Sequence, residues 1–260
     1  MKRLLSILLL LSVCSLMWPQ KNIEIIAHRG YWDIAGAARN SVAALKNAIS
    51  QRYDGTEFDI QVTKDEIPMI HHDAKTSNGI LIGNMNYKVL MDSAAKLENG
   101  EKIPTLATYL KTWKRARHHQ TTRLVLEIKS CPTSQAESNA VRLVLKEVAK
   151  HNIPDSCIEY IAFSRFVCKE LKRECPRAIV SYLRADQTPA EVKNAGLDGI
   201  DYDYRALLKH PQWVEEAHSL GLIVNAWTVD DEEDMKMVIA LGVDKITTNN
   251  PVALRRLLSE

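Results

Sequence analysis

The sequence predicts an α/β chain folded as a single (β/α)8 barrel of the TIM type, with a small insertion after the second strand. Three observations carry this. The chain has 260 residues, close to the roughly 250 typical of one such barrel. Eight short apolar, β-branched segments recur along it with amphipathic segments between most of them, which implies parallel strands joined by helices. With 46% hydrophobic and 25% charged residues and only 10 Gly and 9 Pro, it has material for one large core and not the composition of a disordered or fibrous chain.

The predicted strands run Ile23 to Ala27, Thr56 to Val62, Leu124 to Ile128, Ile158 to Phe163, Ile179 to Leu183, Gly199 to Tyr202, Leu222 to Trp227 and Lys245 to Thr248. Helical spacing covers Ser41 to Arg52, Leu106 to Arg117, Ser134 to His151, Arg165 to Glu174, Pro189 to Ala195, Pro211 to Leu220 and Asp231 to Leu241. A ninth strand-like piece, Pro68 to His71, follows Val62 too closely for the crossover that a parallel neighbour needs, so a hairpin partner is expected there. The insertion spans about 64–102, and its Asn78 to Lys102 part, with Gly79, Gly83, Asn84, Asn86 and Gly100, reads as irregular rather than as a barrel helix.

The first residues form a separate object. Lys2 and Arg3 precede an apolar run from Leu4 to Trp18, shorter than the roughly 20 residues of a membrane-spanning helix and ordered like a secretory leader. Residues 1–19 are therefore expected to be a signal peptide and 20–260 the mature barrel domain. Leu11-Ser12-Val13-Cys14 resembles an imperfect lipoprotein box, so Cys14 is either a lipid anchor or an incidental leader cysteine. An exported, periplasmic or envelope-associated protein is expected, touching membrane only through that anchor. Lys and Arg total 34 against 32 Asp and Glu, a net charge of +2, so no global field favours nucleic acid. The other cysteines, Cys131, Cys157, Cys168 and Cys175, lack zinc-site spacing and read as buried thiols. A Cys168–Cys175 bridge would require the helix to end between them, because seven helical residues separate their ends by about 10 Å.

Polar groups crowd particular strand ends: His28 and Arg29 after the first, Glu57 and Asp59 in the second, His71 and His72 after the hairpin piece, Glu127 and Lys129 at the third. Residues two apart in a strand share a face. Glu57 with Asp59 and Glu127 with Lys129 thus form either an inward group of three carboxylates and an ammonium, or an exposed strand face and a surface ion pair. If inward, the carboxylates repel one another unless a cation sits among them. An all-oxygen set suits Mg2+ or Ca2+. Arg29 and Lys129 then favour an anionic substrate such as a phosphoryl group, with two histidines left to move protons. Of the adjacent His71 and His72, only one can face such a site.

The string Ala27-His28-Arg29-Gly30, then Glu57-Phe58-Asp59, His71-His72-Asp73 and Leu126-Glu127-Ile128-Lys129 resembles the glycerophosphodiester phosphodiesterases, whose signature is HRG, ExD, HD and ExK in that order. The resemblance runs from about His28 to Pro251. It implies the barrel with its insertion, and hydrolysis of glycerophosphodiesters to glycerol 3-phosphate and an alcohol. It further implies His28 and His72 as the acid/base pair, a divalent cation on Glu57, Asp59 and Glu127, phosphate contacts from Arg29 and Lys129, and Trp227 near the substrate's alcohol group.

Two stretches depart from the family pattern. Its usual Pro-Glu-Asn-Thr stands here as Ala38-Arg39-Asn40-Ser41, and its Thr-Asp-x-Pro as Thr248-Asn249-Asn250-Pro251. Arg39 then either binds a second anionic group or turns to solvent. Tyr31 and Trp32 line the pocket mouth or cap a loop, and Asp201 to Tyr204 sit at a strand end without an assigned role. Phospholipases of the phosphatidylinositol-specific C type or the sphingomyelinase D type share a similar two-histidine arrangement and are the rival reading, together with a non-catalytic barrel that binds a phosphorylated ligand.

Overall fold

The computed structural model describes residues 22–93 and 95–260; the expected leader at 1–19, with Cys14, lies outside the described residues. Eight parallel strands form the barrel: β1 (Glu24–Ala27), β2 (Gly55–Val62), β4 (Arg123–Ile128), β5 (Ile158–Ala162), β6 (Ile179–Tyr182), β7 (Gly199–Asp203), β8 (Ile223–Trp227) and β9 (Lys245–Thr248). Each pairs with the next, β9 returns to β1, and β1 to β2 closes the ring with Ile26 opposite Gly55 and Ala27 opposite Thr56. The remaining strand, β3 (Pro68–Ile70), is the expected hairpin partner, antiparallel to β2 with Ile60 opposite Ile70.

The helices start where side chains satisfy the free N–H groups of a first turn. In α1 (Val42–Ser50) the Ser41 hydroxyl accepts from the Ala44 N–H. Thr133 does the same for α4 (Ser134–Lys150), Ser164 for α5 (Arg165–Glu174) and Asp231 for α9 (Glu232–Leu241). Thr188 and Glu191 make a reciprocal capping box on α6 (Pro189–Asn194). In α3 (Leu106–Arg115) the buried residues are Leu106, Tyr109, Leu110 and Trp113, the i, i+3, i+4, i+7 stripe that seats a helix on a sheet.

Two short helices depart from the sequence expectation. Between β7 and α8 (Gln212–Ser219) lies α7 (Tyr204–Lys209), and the chain ends in α10 (Pro251–Leu257). At six and seven residues they complete too few turns for an amphipathic period to emerge. The Asp203 and Asn250 side chains that cap them also serve as ordinary loop residues. Likewise α2 (Tyr87–Asp92) gives the insertion one helical segment, beside a 3-10 turn at Ile82–Asn84. Met69, Ile82, Leu90, Ala95 and Ile103 form a small core there, separate from the main one.

Inside the barrel, Ile26, Val125, Ile161 and Leu183 pack as an apolar plug, with Phe163 and Trp227 against it. Above this filled interior lie the polar strand ends, at the C-terminal face where barrels of this type carry their chemistry. Cys131, Cys157, Cys168 and Cys175 are free thiols, and α5 runs unbroken from Cys168 to its cap at Cys175. Among the described residues no helix is long and apolar enough to cross a membrane.

Candidate active site

The first strand ends in a tight turn. Arg29 and Gly30 both take positive φ, 56° and 82°, and a Cβ on Gly30 would lie 2.7 Å from that of Ala44, so only glycine fits. The turn aims the Arg29 N–H at Glu57 Oε2, 2.9 Å away. It also seats Asn40, itself at φ 62°, whose N–H donates to the Arg29 carbonyl. The Asn40 amide then grips β2: its Nδ2 donates to Asp59 Oδ2 at 2.8 Å and its Oδ1 accepts from the Asp59 N–H.

Register does the rest. Asp59 and Glu127 are direct partners across β2 and β4, and Glu57 lies two residues before Asp59 on the same face. All three are buried, and one carboxylate oxygen from each lies within 4.8 Å of the others. The inward alternative of the sequence analysis is therefore the one realised. The Lys129 ammonium bridges Asp59 Oδ1 at 3.0 Å and Glu127 Oε1 at 2.7 Å, and Arg29 Nε approaches Asp59 Oδ2 at 3.5 Å.

The charges are unevenly shared. Burial would raise Asp59, but Lys129, the Asn40 hydrogen bond and Arg29 hold its carboxyl below the usual range. Glu57 has no lysine or arginine within 4 Å among the described residues; burial, then Asp59 and Glu127, push it well above that range. Burial lifts Glu127 to about 7 against the pull of Lys129. Lys129 stays charged, because Asp59 and Glu127 outweigh the effect of burial.

Two imidazoles flank this group. His28 Nδ1 lies 2.9 Å from Asn249 Oδ1. Asn249 spends its Nδ2 on the Asp230 carboxylate, so its oxygen must accept, His28 carries its proton on Nδ1, and Nε2 presents a lone pair. That Nε2 is 3.9 Å from Glu57 Oε2. Burial and Arg29 lower His28 to about 4, so at neutral pH this approach is not an ion pair. His72 donates through Nδ1 to Asp73 at 2.8 Å, and burial lowers it as well, despite Asp59 and Asp73. His71 hydrogen-bonds the Asp73 carbonyl instead.

A cavity of about 120 Å3 opens onto these groups, its wall including His28, Arg29, Glu57, His72, Glu127 and Lys129. Phe163, Leu183 and Trp227 make its apolar side. The Trp227 ring meets Phe163 edge-on and its Nε1 donates to the Asp201 carbonyl, so a half-buried tryptophan is held upright at the mouth. His28, Arg29, Glu57, His72, Glu127, Lys129 and Trp227 all line this cavity, Asp59 joins them through Lys129 and Arg29, and Arg39 and His71 line a neighbouring recess instead. Sequence reasoning missed the part played by Asn40, Asn249 and Asp201. Asp201, buried in the wall and bonded to Asn225, is lifted to about 7 by burial. The first two lie within the stretches compared with the family, but their hydrogen bonds depend on left-handed backbone at residue 40 and on a contact 221 positions away in sequence.

Carboxylates able to hold a cation, with an ammonium and a guanidinium beside them, are equipment for a phosphate diester, and the fold and site define a phosphoric diester hydrolase. The glycerophosphoryl diester phosphodiesterase family model matches residues 28–253, and the chain belongs to that family. It is similar to a glycerophosphodiester phosphodiesterase of Parabacteroides distasonis of known structure, at 38% identity and TM-score 0.88, covering 92% of this chain and 98% of that one. It is 26% identical to a glycerophosphodiester phosphodiesterase of Caldanaerobacter subterraneus over 90% of this chain and 97% of the relative. An Oleispira antarctica phosphodiesterase, solved in complex with the product sn-glycerol-3-phosphate, shares the fold at TM-score 0.76 and 22% identity, covering 91% and 97% of the two chains.

Proposed function

We propose that this chain hydrolyses glycerophosphodiesters to sn-glycerol 3-phosphate and an alcohol, with a divalent cation and with His28 and His72 moving the protons. The observation that carries it is the pairing of two oriented imidazoles with three buried carboxylates at one cavity. The donor set fits a hard cation: it is all oxygen, and one member, Glu57, has no ammonium or guanidinium in ion-pair contact among the described residues and is left with its pKa raised by burial and by Asp59 and Glu127. Glu57, Asp59 and Glu127 would hold Mg2+ or Ca2+, which supplies charge stabilisation at a phosphate oxygen and lowers the pKa of a bound hydroxyl.

The chain's own groups do the remainder. Arg29 Nε is buried without a hydrogen-bond acceptor, a donor left for an anion, and with Lys129 it would fix the phosphate. As the P–O bond to the new oxygen forms, one imidazole Nε2 takes the proton of the attacking water or substrate hydroxyl. As the P–O bond to the alcohol breaks, the other imidazole, which enters the step protonated at Nε2 beside the bound phosphate anion, gives that proton to the leaving oxygen and is left neutral. Asn249 and Asp73, holding the two Nδ1 atoms, keep both Nε2 atoms available. Trp227 and Phe163 would cover the carbon skeleton of glycerol.

The test is direct. Protein stripped of metal and resupplied with Mg2+ or Ca2+ is incubated with glycerophosphocholine, glycerophosphoethanolamine and glycerophosphoinositol, and glycerol phosphate and free head group are measured. Cation-dependent release of glycerol 3-phosphate is the expected result. No release with any of them overturns the reading in favour of intact lipids or of a binding role. We further propose that the protein is exported, with residues 1–19 removed or Cys14 lipidated; N-terminal sequencing and palmitate labelling of the cell-derived protein separate these.

A further inference from the structure

Beside the reaction cavity lies a wider recess of about 570 Å3, sharing Arg29 and His72 with it. Its far wall belongs to the insertion and to the loop before α1, and it is basic: Arg39, Lys75 and Lys96 line it, against Asp73 and Glu98. Both carboxylates are engaged, Asp73 by His72 at 2.8 Å and Glu98 by Arg39 at 3.3 Å. Neither Lys75 nor Lys96 has a carboxylate within 4 Å among the described residues, so their charges are not matched locally. The recess thus keeps an excess of positive charge that the catalytic groups do not use.

The backbone that carries these cations is held in place. Bridge pairing of Lys75 with Leu81 and of Lys96 with Lys102 holds their backbones, and the Ser77 hydroxyl donates to the Lys96 carbonyl. The Arg39 guanidinium lies flat on Trp32, 4.1 Å from the ring centroid; stacking occupies its face and leaves in-plane N–H donors for an acceptor. Trp32 in turn donates to Asn249 Oδ1. The two departures from the family pattern, at Arg39 and Asn249, therefore meet on one tryptophan, and both move local charge in the positive direction.

We infer that this recess is a subsite for a second anionic group, a carboxylate or phosphate monoester carried by the alcohol half of the phosphodiester. The inference rests on the hydrolase reading above. For a substrate with its phosphodiester at Lys129 and Arg29 and its glycerol against Trp227 and Phe163, this adjoining recess can receive the other half, because the two share Arg29 and His72. A negative group there meets the Lys75 and Lys96 ammoniums, which lack a carboxylate within 4 Å among the described residues, and the Arg39 guanidinium shared with Glu98, which lowers KM for anionic over neutral or cationic head groups.

Glycerophosphoserine and glycerophosphoethanolamine differ by one carboxylate, and glycerophosphoinositol 4-phosphate and glycerophosphoinositol by one phosphate. The expected result is a kcat/KM ratio of about tenfold or more in favour of the anionic member of at least one pair, carried by KM and shrinking as NaCl is raised. Which pair responds distinguishes a carboxylate from a phosphate ligand. Arg39→Glu and the double variant Lys75→Ala/Lys96→Ala each lower that ratio; Arg39 is on the surface, so either variant can fail alone without removing the test. Ratios near one in the wild type, or ratios unchanged in both variants, overturn the subsite while hydrolysis itself stands. If no compound is turned over, the hydrolase reading fails, and calorimetric binding of the same pairs decides: equal affinities overturn the subsite, tighter binding of the anionic member retains it.

Discussion

The two ends of the barrel hold charge clusters of similar composition and opposite design. At the N-terminal end, Glu24 and Glu159 meet Arg123 and Lys245; Arg123 contacts Glu24 at 2.9 Å and Glu159 at 2.8 Å, and Lys245 pairs with both acids. Acids and bases match, and each carboxylate has two cationic partners. At the C-terminal end Lys129 is shared between Asp59 and Glu127, Arg29 Nε approaches Asp59, and Glu57 has no ammonium or guanidinium within 4 Å among the described residues. The first arrangement closes on itself and binds the strands together. The second leaves its acids unequally paired, in an arrangement that could hold a metal ion. The two ends differ in balance and in burial: at the N-terminal end the Glu24 and Arg123 side chains are 35% and 27% exposed and every charge has an opposite partner, whereas Glu57 and Asp59 are almost fully buried and unequally paired.

The comparison can be broken by mutation. The largest effect is expected at the C-terminal end: His28→Ala or His72→Ala should lower kcat roughly 10²- to 10⁴-fold with little change in KM, measured by steady-state release of glycerol phosphate. Near-normal turnover in both variants would remove the acid/base assignment. At the closed end the loss should appear in folding instead. Glu159→Gln leaves Lys245 and Arg123 with one fewer buried anion and should cost on the order of 3 kcal/mol in denaturant unfolding, while kcat of the folded enzyme stays unchanged.

Metal sharpens the contrast. Saturating Mg2+ or Ca2+ at about a hundredfold excess over its dissociation constant should stabilise the stripped protein by about 2.7 kcal/mol, and Asp59→Asn should abolish the gain. The sign with pH follows from Glu127, whose pKa in the fold is about 7. A carboxyl raised by folding contributes stability that is fully present below its unfolded value, near 4.5, and is lost as pH rises through about 7. The stripped protein should therefore lose that contribution across this window, while the cation, which must displace the same proton, binds more tightly. Calorimetry in buffers of different ionisation heat counts the proton released; none at pH 6 would contradict the site. The smallest effect is expected at Asn40→Ala, which takes two hydrogen bonds from Asp59, one at its carboxylate and one at its N–H, and should reduce kcat/KM about tenfold.

Much of this was readable in one dimension. Strand-helix alternation gave the barrel, and the two-residue spacing of Glu57 with Asp59 and of Glu127 with Lys129 placed each pair on one face. Helices α7 and α10 escaped because six or seven residues carry too little period. The insertion's own core escaped because its five buried residues come one each from β3, the 3-10 turn, α2 and the stretches around 95 and 103, and only close on one another in space.

Local chemistry is what the sequence by itself determined: which segments are strands, which residues can bind a cation, which can move a proton, and the family those motifs belong to. Whether the carboxylates faced inward, which of His71 and His72 reached the site, and where Arg39 lay were decided only by the closed barrel. The physical reason is distance along the chain. Asp59 and Glu127 become neighbours through register between strands 68 positions apart, and His28 is held by Asn249, 221 positions away. Such contacts depend on ring closure, which no local pattern encodes, and it is ring closure that leaves one end of the barrel balanced and the other with its acids unequally paired.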